Sequence, residues 1–407
     1  MKENIVTFLL AGGRGKRLSP LTKDRTKPAV PFGGAYRIVD FTLSNCVNSG
    51  LRKINVLIQY KSHSLQRHLR MGWNIFDMQL SEYIDVVPAQ QRMGDAWYKG
   101  TADAIYQNLY TLDDERGVSE VLILAGDHIY KMDYNDLLTR HRKSKADLTV
   151  AAVRFPKKES VQLGVIEVDR NNNVVGFKEK KKDAGNIPED PENIFASMGI
   201  YVFNPAVLKE ELKEDSAKDT EHDFGKNIIN QMLKKKRKVV LFDFKDKNTN
   251  KPNYWLDIGT LEAYYDANMD LVEVNPVFNL YDRSWPVRTH HEPFPPAKTV
   301  FSGDNQKDRI GLVMDSLVTS GCIISGGKVQ RSILSYNVRI NSFSQVLDSI
   351  LMEGVNVGRH AKIKNAIIDK DVNIPENTVI GYDTEEDKKK FFVTERGIVV
   401  VAKGTKL

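Results

Sequence analysis

Short apolar runs rich in Val and Ile alternate with segments of helical periodicity up to about residue 275, and this alternation constrains the fold more than any other feature of the chain. Strands are expected at residues 5–10, 54–58, 121–125, 148–153 and 239–244. Helices are expected at 62–69, 101–112, 134–144, 223–233 and 260–274, with Ser62, Asp223 and Thr260 as N-caps. Strands this apolar need cover on both faces, which predicts an α/β domain with a mostly parallel sheet. Ligands of such sheets gather at the carboxyl ends of the strands.

The first strand runs into Gly12-Gly13-Arg14-Gly15-Lys16-Arg17. Glycines let several backbone N–H groups converge on one anion, and the arginines supply planar forks that match phosphate oxygens. The expected ligand is a polyphosphate, yet the spacing is neither GxxxxGK[ST] nor GxGxxG. Two further strand ends carry carboxylates: Asp127 in Ala125-Gly126-Asp127-His128, and Asp257 in Tyr254-Trp255-Leu256-Asp257. Magnesium takes one or two protein carboxylates and completes its shell with water and phosphate oxygens, so this pair beside a cationic loop fits metal–polyphosphate chemistry. A strand-end Asp can equally cap a helix, and Phe177-Lys178-Glu179-Lys180 reads locally as a surface ion pair.

With 41% hydrophobic and 28% charged residues the composition is globular, and a chain of 407 residues requires more than one domain. The net charge of +6 is dispersed among acidic residues, which argues against a nucleic-acid face. The basic run at 234–238 reads as a solvated helix end. Two cysteines, Cys46 and Cys322, fall in different domains and fit a reducing compartment. The seven-residue apolar N-terminal run is short for a leader or a membrane span, so a cytoplasmic protein is expected. The histidines show no zinc-binding spacing, and no motif supplies a covalent nucleophile.

Five of the fifteen prolines lie between Pro276 and Pro296, which marks a semi-rigid linker over 276–300. Beyond it helix signals fade and aliphatic pairs recur, with a six-residue step through Ile368, Ile374 and Ile380. That step predicts a parallel β-helix over 301–407, interrupted at 335–349. An antiparallel sandwich of short strands is the alternative. The flat end of a coil stack needs covering, so oligomerisation is expected.

The blocks LLAGGRGKRLSPLT, PAQQRMGDAWYKGTADA, ILAGDHIYKMDY, HDFGKNII, ASMGIYVF and YWLDIGTLEAY together resemble the bacterial glucose-1-phosphate adenylyltransferases (ADP-glucose pyrophosphorylases), from residue 5 to 401. The resemblance implies a Rossmann-like nucleotidyltransferase domain over 1–275 and a C-terminal left-handed parallel β-helix. It implies the reaction of ATP with α-D-glucose 1-phosphate to give ADP-glucose and pyrophosphate, for glycogen synthesis, with Mg²⁺ as cofactor.

By the same resemblance Gly12, Gly13, Arg14, Gly15 and Arg17 hold the triphosphate, and Gln59, Gln90, Gly100 and Thr101 face the adenine. Asp127 and Asp257 hold the metal. Lys180 grips the phosphate of glucose 1-phosphate, and Tyr98, Gly164, Glu179 and Ser197 line the sugar pocket. Arg17, Asp127, Lys180 and Asp257 form the catalytic set. Lys23, Arg25, Lys27 and Arg396 are the candidate allosteric residues, and a homotetramer, with or without a related regulatory subunit, is the implied assembly. No nucleic acid or membrane partner is implied.

Two positions depart from the family pattern. Lys181 stands where proline is common. Asp24 stands where members activated by sugar phosphates carry lysine, and a carboxylate in an anion site works against fructose 1,6-bisphosphate. A non-catalytic subunit, or a sister enzyme using another nucleotide, are the competing functions.

Overall fold

The computed structural model describes residues 4–90, 97–188, 190–301 and 309–407. The N-terminal domain is built on a nine-stranded sheet. Its parallel half places Ile5–Leu10 between Lys53–Ile58 and Glu120–Ala125, with Tyr83–Pro88 outermost. The long strand Asn193–Phe203 joins Glu120–Ala125 antiparallel and links it to Leu148–Pro156 and Gly164–Val168. Leu148–Pro156 pairs in parallel with Val239–Asp243. The central strands are buried on both faces between two apolar clusters, as their unbroken Val/Ile/Leu runs require.

Several local expectations change. The helix expected over 101–112 is two pieces, Thr101–Tyr106 and Leu109–Asp113. At the break, the Asn108 side-chain amide donates to the Ala104 carbonyl and to the Tyr98 hydroxyl, competing with helix continuation. The segment after Asp223 opens as a wide turn, Phe224–Ile229, before becoming α-helical at Asn230–Lys234. Asp223 caps it by accepting from the Gly225 and Lys226 amides, and Thr260 caps Leu261–Asp270 in the same manner. Ser62 does not cap its helix. Its hydroxyl takes the Gln66 side-chain amide instead. The basic run at 234–238 lies at the surface, exposed at every position but half-buried Arg237, and Lys235 and Arg237 pair there with Glu210, Glu211 and Glu214.

The Pro-rich segment is tied along helix Ile38–Asn48. Trp285 Nε1 donates to Asn45, the Asn48 side chain to the Pro286 carbonyl, and Thr289 to Asp40. The C-terminal domain is a three-sheet prism of parallel strands, the arrangement of a left-handed parallel β-helix, and its first strand, Lys298–Val300, lies within the expected linker. Successive strands on one face begin at Ile323, Arg339, Asn356 and Asn373, and Ile324, Ile340, Val357 and Ile374 stack inside.

The interruption expected over 335–349 is absent. The aliphatic pattern lapses there because serines turn the corners. The Ser316 hydroxyl accepts the Ser332 amide, Ser332 that of Ser349, and Ser349 that of Ala366, one coil after another. Helix Thr384–Lys390 is inserted in the last coil, before Val399–Val401 pairs in parallel with Ala366–Ile368, and its Asp387 accepts the Gly381 amide.

The two domains share a core in which Leu18, Phe41 and Tyr264 pack with Ile350, Met352 and Val400. Arg25, 5% exposed, donates through Nη2 to both oxygens of Asp369, 2% exposed, at 2.6 and 2.7 Å across this junction. Among the described residues no helix is long and apolar enough to cross a membrane.

Candidate active site

The glycine loop follows the central parallel strand. The Ala11 amide bonds to the Leu57 carbonyl and the Gly126 amide to the Leu10 carbonyl, so three strand ends meet around it. Gly15 has φ 59°, a left-handed conformation, and a Cβ there would stand 2.9 Å from Lys27 Cβ, so both backbone and space call for glycine. Gly12 lies against Gln59 and Gly13 is exposed. The Arg14 guanidinium sits 5.6 Å over the Tyr60 ring. Arg17 is exposed and packs over Gly259, two residues beyond Asp257.

A two-stranded antiparallel ribbon pairs His128–Tyr130 with Trp255–Asp257, with Asp257 opposite His128. That register brings Asp127 and Asp257 together beside the loop. Lys27 lies between them, its Nζ 2.9 Å from Asp127 Oδ2 and 2.6 Å from Asp257 Oδ1. His128 Nε2 is 3.4 Å from Asp127 and 3.9 Å from Asp257, and its ring meets Trp255 edge-on at 5.0 Å.

Burial disfavours the Asp127 carboxylate, but the charges of Lys27 and then His128 outweigh it and hold its pKa down at about 2. Burial likewise opposes charge on Lys27, and the two carboxylates overcome it and raise its pKa. Donor atoms of Asp127, His128 and Asp257 lie within 4.8 Å of one another, the one such metal-competent group among the described residues.

The expected sugar residues collect on the other arm of the site. Gly164 stands opposite Glu179 in the antiparallel pair of Gly164–Val168 with Val174–Glu179. Lys180 follows, with Nζ 3.0 Å from Glu179 Oε1. The strand carrying Ser197 is irregular between Ser197 and Ile200, which turns Gly199 towards Ala125 and His128. Buried Tyr201 joins the group: burial first, then the charges of Asp223 and Glu179, raise its pKa, while Ser197 bonds to it. Tyr98 packs against the same cluster, which includes Phe177, Tyr201 and Phe224.

Of the residues expected at the adenine, Thr101 donates its hydroxyl to Asp223 at 2.9 Å and accepts the Phe224 amide at 3.1 Å. Gly100 is pressed against the carbonyls of Glu221 and His222. Gln90 is exposed just after Ala89, whose amide bonds to the Ile58 carbonyl. Gln91 and Arg92, of the same sequence block, lie outside the described residues.

The four candidate allosteric residues do not form one site. Lys27 belongs to the carboxylate centre, because the turn Lys27–Ala29 runs beneath the glycine loop, where Thr26 donates to the Gly13 carbonyl. Arg25 lines an interdomain cavity of about 330 Å³, together with Asp24, Arg37, Arg67, Lys370 and Lys403. Lys23 is exposed outside that lining, and Arg396 pairs with Asp266 on the surface. Sequence reasoning placed Lys27 with the allosteric residues rather than at the carboxylates, and missed His128 and Trp255 as neighbours of the pair. The signals were present in GDH and YWLD, each read as the setting of its aspartate.

The nucleotidyl transferase family matches residues 6–274, and the family described as GlmU-like, C-terminal hexapeptide matches residues 295–401. The glucose-1-phosphate adenylyltransferases of Koribacter versatilis and Rhodopirellula baltica are each 52% identical to this chain. They cover 97% and 99% of it, and the matches span 94% and 91% of their own lengths. The enzyme of that name from Anaeromyxobacter sp. is 50% identical over 99% of both chains. With a cationic glycine loop and paired carboxylates at adjoining strand ends, followed by a hexapeptide β-helix, this chain is a nucleotidyltransferase and belongs to the glucose-1-phosphate adenylyltransferase family.

Proposed function

We propose that this chain joins ATP to α-D-glucose 1-phosphate, releasing pyrophosphate and forming ADP-glucose for glycogen synthesis. The convergence of Asp127 and Asp257 beside the glycine loop carries this reading. A phosphate oxygen of the sugar phosphate attacks the α-phosphorus, and the bond to the β-phosphate oxygen breaks in line. The nucleophile is already anionic at neutral pH, so no general base is required. The barrier lies in bringing two anions together and in charge on the departing pyrophosphate, and positioning and electrostatics lower it.

In this reading Gly12, Gly13, Arg14, Gly15 and Arg17 receive the triphosphate, and the exposed Arg17 neutralises pyrophosphate. Gln59, Gln90, Gly100 and Thr101 frame the adenine. Tyr98, Gly164, Glu179 and Ser197 hold the glucose, and Lys180 exchanges its pairing with Glu179 for the sugar phosphate. Asp127 and Asp257 offer oxygen donors of a type and spacing that suit Mg²⁺, and the Lys27 ammonium between them supports the reading of the pair as a cation site. When bound, the metal neutralises triphosphate charge.

The working division is a catalytic domain over 1–275, a linker over 276–300 and a β-helix over 301–407 that serves assembly, here taken as a cytoplasmic homotetramer. Arg25 with its cationic neighbours is the regulatory anion site, weakened toward sugar bisphosphates by Asp24. The joint presence of Arg17, Asp127, Lys180 and Asp257 favours catalysis over a purely regulatory subunit.

A matrix of ATP, GTP, UTP and dTTP against several sugar 1-phosphates, read by pyrophosphate release from the purified chain, tests the reading. ATP with glucose 1-phosphate should exceed every other pair by at least about 100-fold in kcat/KM. Equal use of another nucleotide, or no turnover, would contradict it.

A further inference from the structure

Lys27 is an unusual occupant for a metal centre. Its ammonium touches both carboxylates, at 2.9 and 2.6 Å, and the residue is 6% exposed. A magnesium ion bound by the same oxygens would sit about 2.0–2.1 Å from each. Metal and ammonium therefore claim the same oxygens and the same space. Formal charges make the competition explicit: two carboxylates and one ammonium sum to −1 with His128 neutral, and adding Mg²⁺ with Lys27 in place would leave an excess of positive charge.

The lysine can yield without rearranging the backbone. Its backbone is fixed in the turn Lys27–Ala29, where the Ala29 amide bonds to the Thr26 carbonyl, and the Thr26 hydroxyl is anchored by the carbonyls of Ala11 and Gly13. The flexible four-carbon stem leaves only the head to move. The stem lies against Gly15, so a released ammonium remains under the glycine loop.

We propose that Lys27 is the resident counter-cation of the Asp127–Asp257 pair, and that divalent metal displaces its ammonium towards the anion held by the glycine loop. Lys27 is thus a positioning residue that makes metal binding depend on nucleotide: without an anion above the loop, the displaced ammonium loses its partners. The inference rests on the reading of Asp127 and Asp257 as the metal carboxylates.

Mn²⁺ binding to the full chain without nucleotide, followed by electron paramagnetic resonance, separates the two claims. Lys27→Met should bind one Mn²⁺ at least about tenfold more tightly than wild type, and adding Asp257→Asn should abolish that gain. Equal Mn²⁺ affinity in wild type and Lys27→Met, with loss in both on adding Asp257→Asn, would overturn the displacement and leave the carboxylate site standing. Indifference to Asp257→Asn in the Lys27→Met background would overturn both. Lys27→Gln, polar but uncharged, provides a second folded background. Mn²⁺ should raise its Tm by more than it raises that of wild type, and an equal or smaller rise counts against the proposal.

Discussion

Lys180 stands just past the end of strand Val174–Glu179 with φ 51°, a conformation unfavourable to a residue with a side chain. Its amide bonds to the Leu163 carbonyl at 3.0 Å, which fixes the turn and sends the side chain off the strand beside Glu179. Strain held in this way is common where a side chain has a task. Lys180→Ala should raise the KM for glucose 1-phosphate by about 10- to 100-fold and leave the KM for ATP nearly unchanged, as loss of one charge-assisted contact predicts. Initial-rate kinetics with each substrate varied check this, and a rise confined to ATP would remove Lys180 from the sugar-phosphate pocket.

Individual residues were legible when the chemistry was local. The glycine loop, Asp127 and Asp257 each announce themselves by neighbours within a few positions. Lys27 did not, because its meaning depends on a ribbon register joining residues 128 and 257, a pairing no local pattern encodes. Placed by sequence among Lys23 and Arg25, it belongs in space to the carboxylates.

At the scale of elements, the segment from Thr220 to Gly225 ties helix Thr101–Tyr106 to strand Val174–Glu179. His222, buried at φ 49°, bonds through Nδ1 to Asp215 at 2.7 Å, and its carbonyl accepts the Ala102 amide at 2.8 Å. On the other side Gly225 adjoins the Phe177 ring, three residues before Lys180. The start of helix Thr101–Tyr106 is seated on this segment so closely that Gly100 has no room for a methyl group. Gly100→Ala must push backbone against backbone and should cost about 1–3 kcal/mol, measurable by denaturant unfolding. The same change should raise the KM for ATP, because residues 97–101 shift with the helix. Wild-type stability and kinetics together would show that the contact does not position the loop.

The strands and helix caps of these elements were largely readable from period and cap residues. The break at Asn108 and the wide turn at Phe224–Ile229 were not: Asn108 turns its side chain back on Ala104 and Tyr98, and Asp223 meets distant Thr101. In the β-helix the coil period was readable wherever aliphatics mark it. It was obscured where serine hydroxyls satisfy the corner amides.

For the whole molecule, the junction between domains is a continuous apolar core containing one buried ion pair, Arg25 with Asp369. Asp369→Ala strips a buried guanidinium of its partner and should destabilise the chain by about 3–5 kcal/mol, whereas the double replacement Arg25→Met with Asp369→Leu should recover most of that loss. Denaturant unfolding of the three variants checks this, and equal stability of the single and double variants would mean that the pair is not what the junction depends on. The interdomain cavity beside Arg25 adjoins the same turn that carries Lys27 into the carboxylate centre, so domain docking and the reaction centre share one short stretch of chain.

The central claim is that Asp127 and Asp257 act together at the reacting phosphates. Steady-state pyrophosphate release from Asp127→Asn and Asp257→Asn, with saturating ATP, Mg²⁺ and glucose 1-phosphate, measures it most directly. Each should lower kcat by about 100- to 1,000-fold or more while the chain remains folded and still binds glucose 1-phosphate. A kcat within a few fold of wild type in either variant would contradict the account.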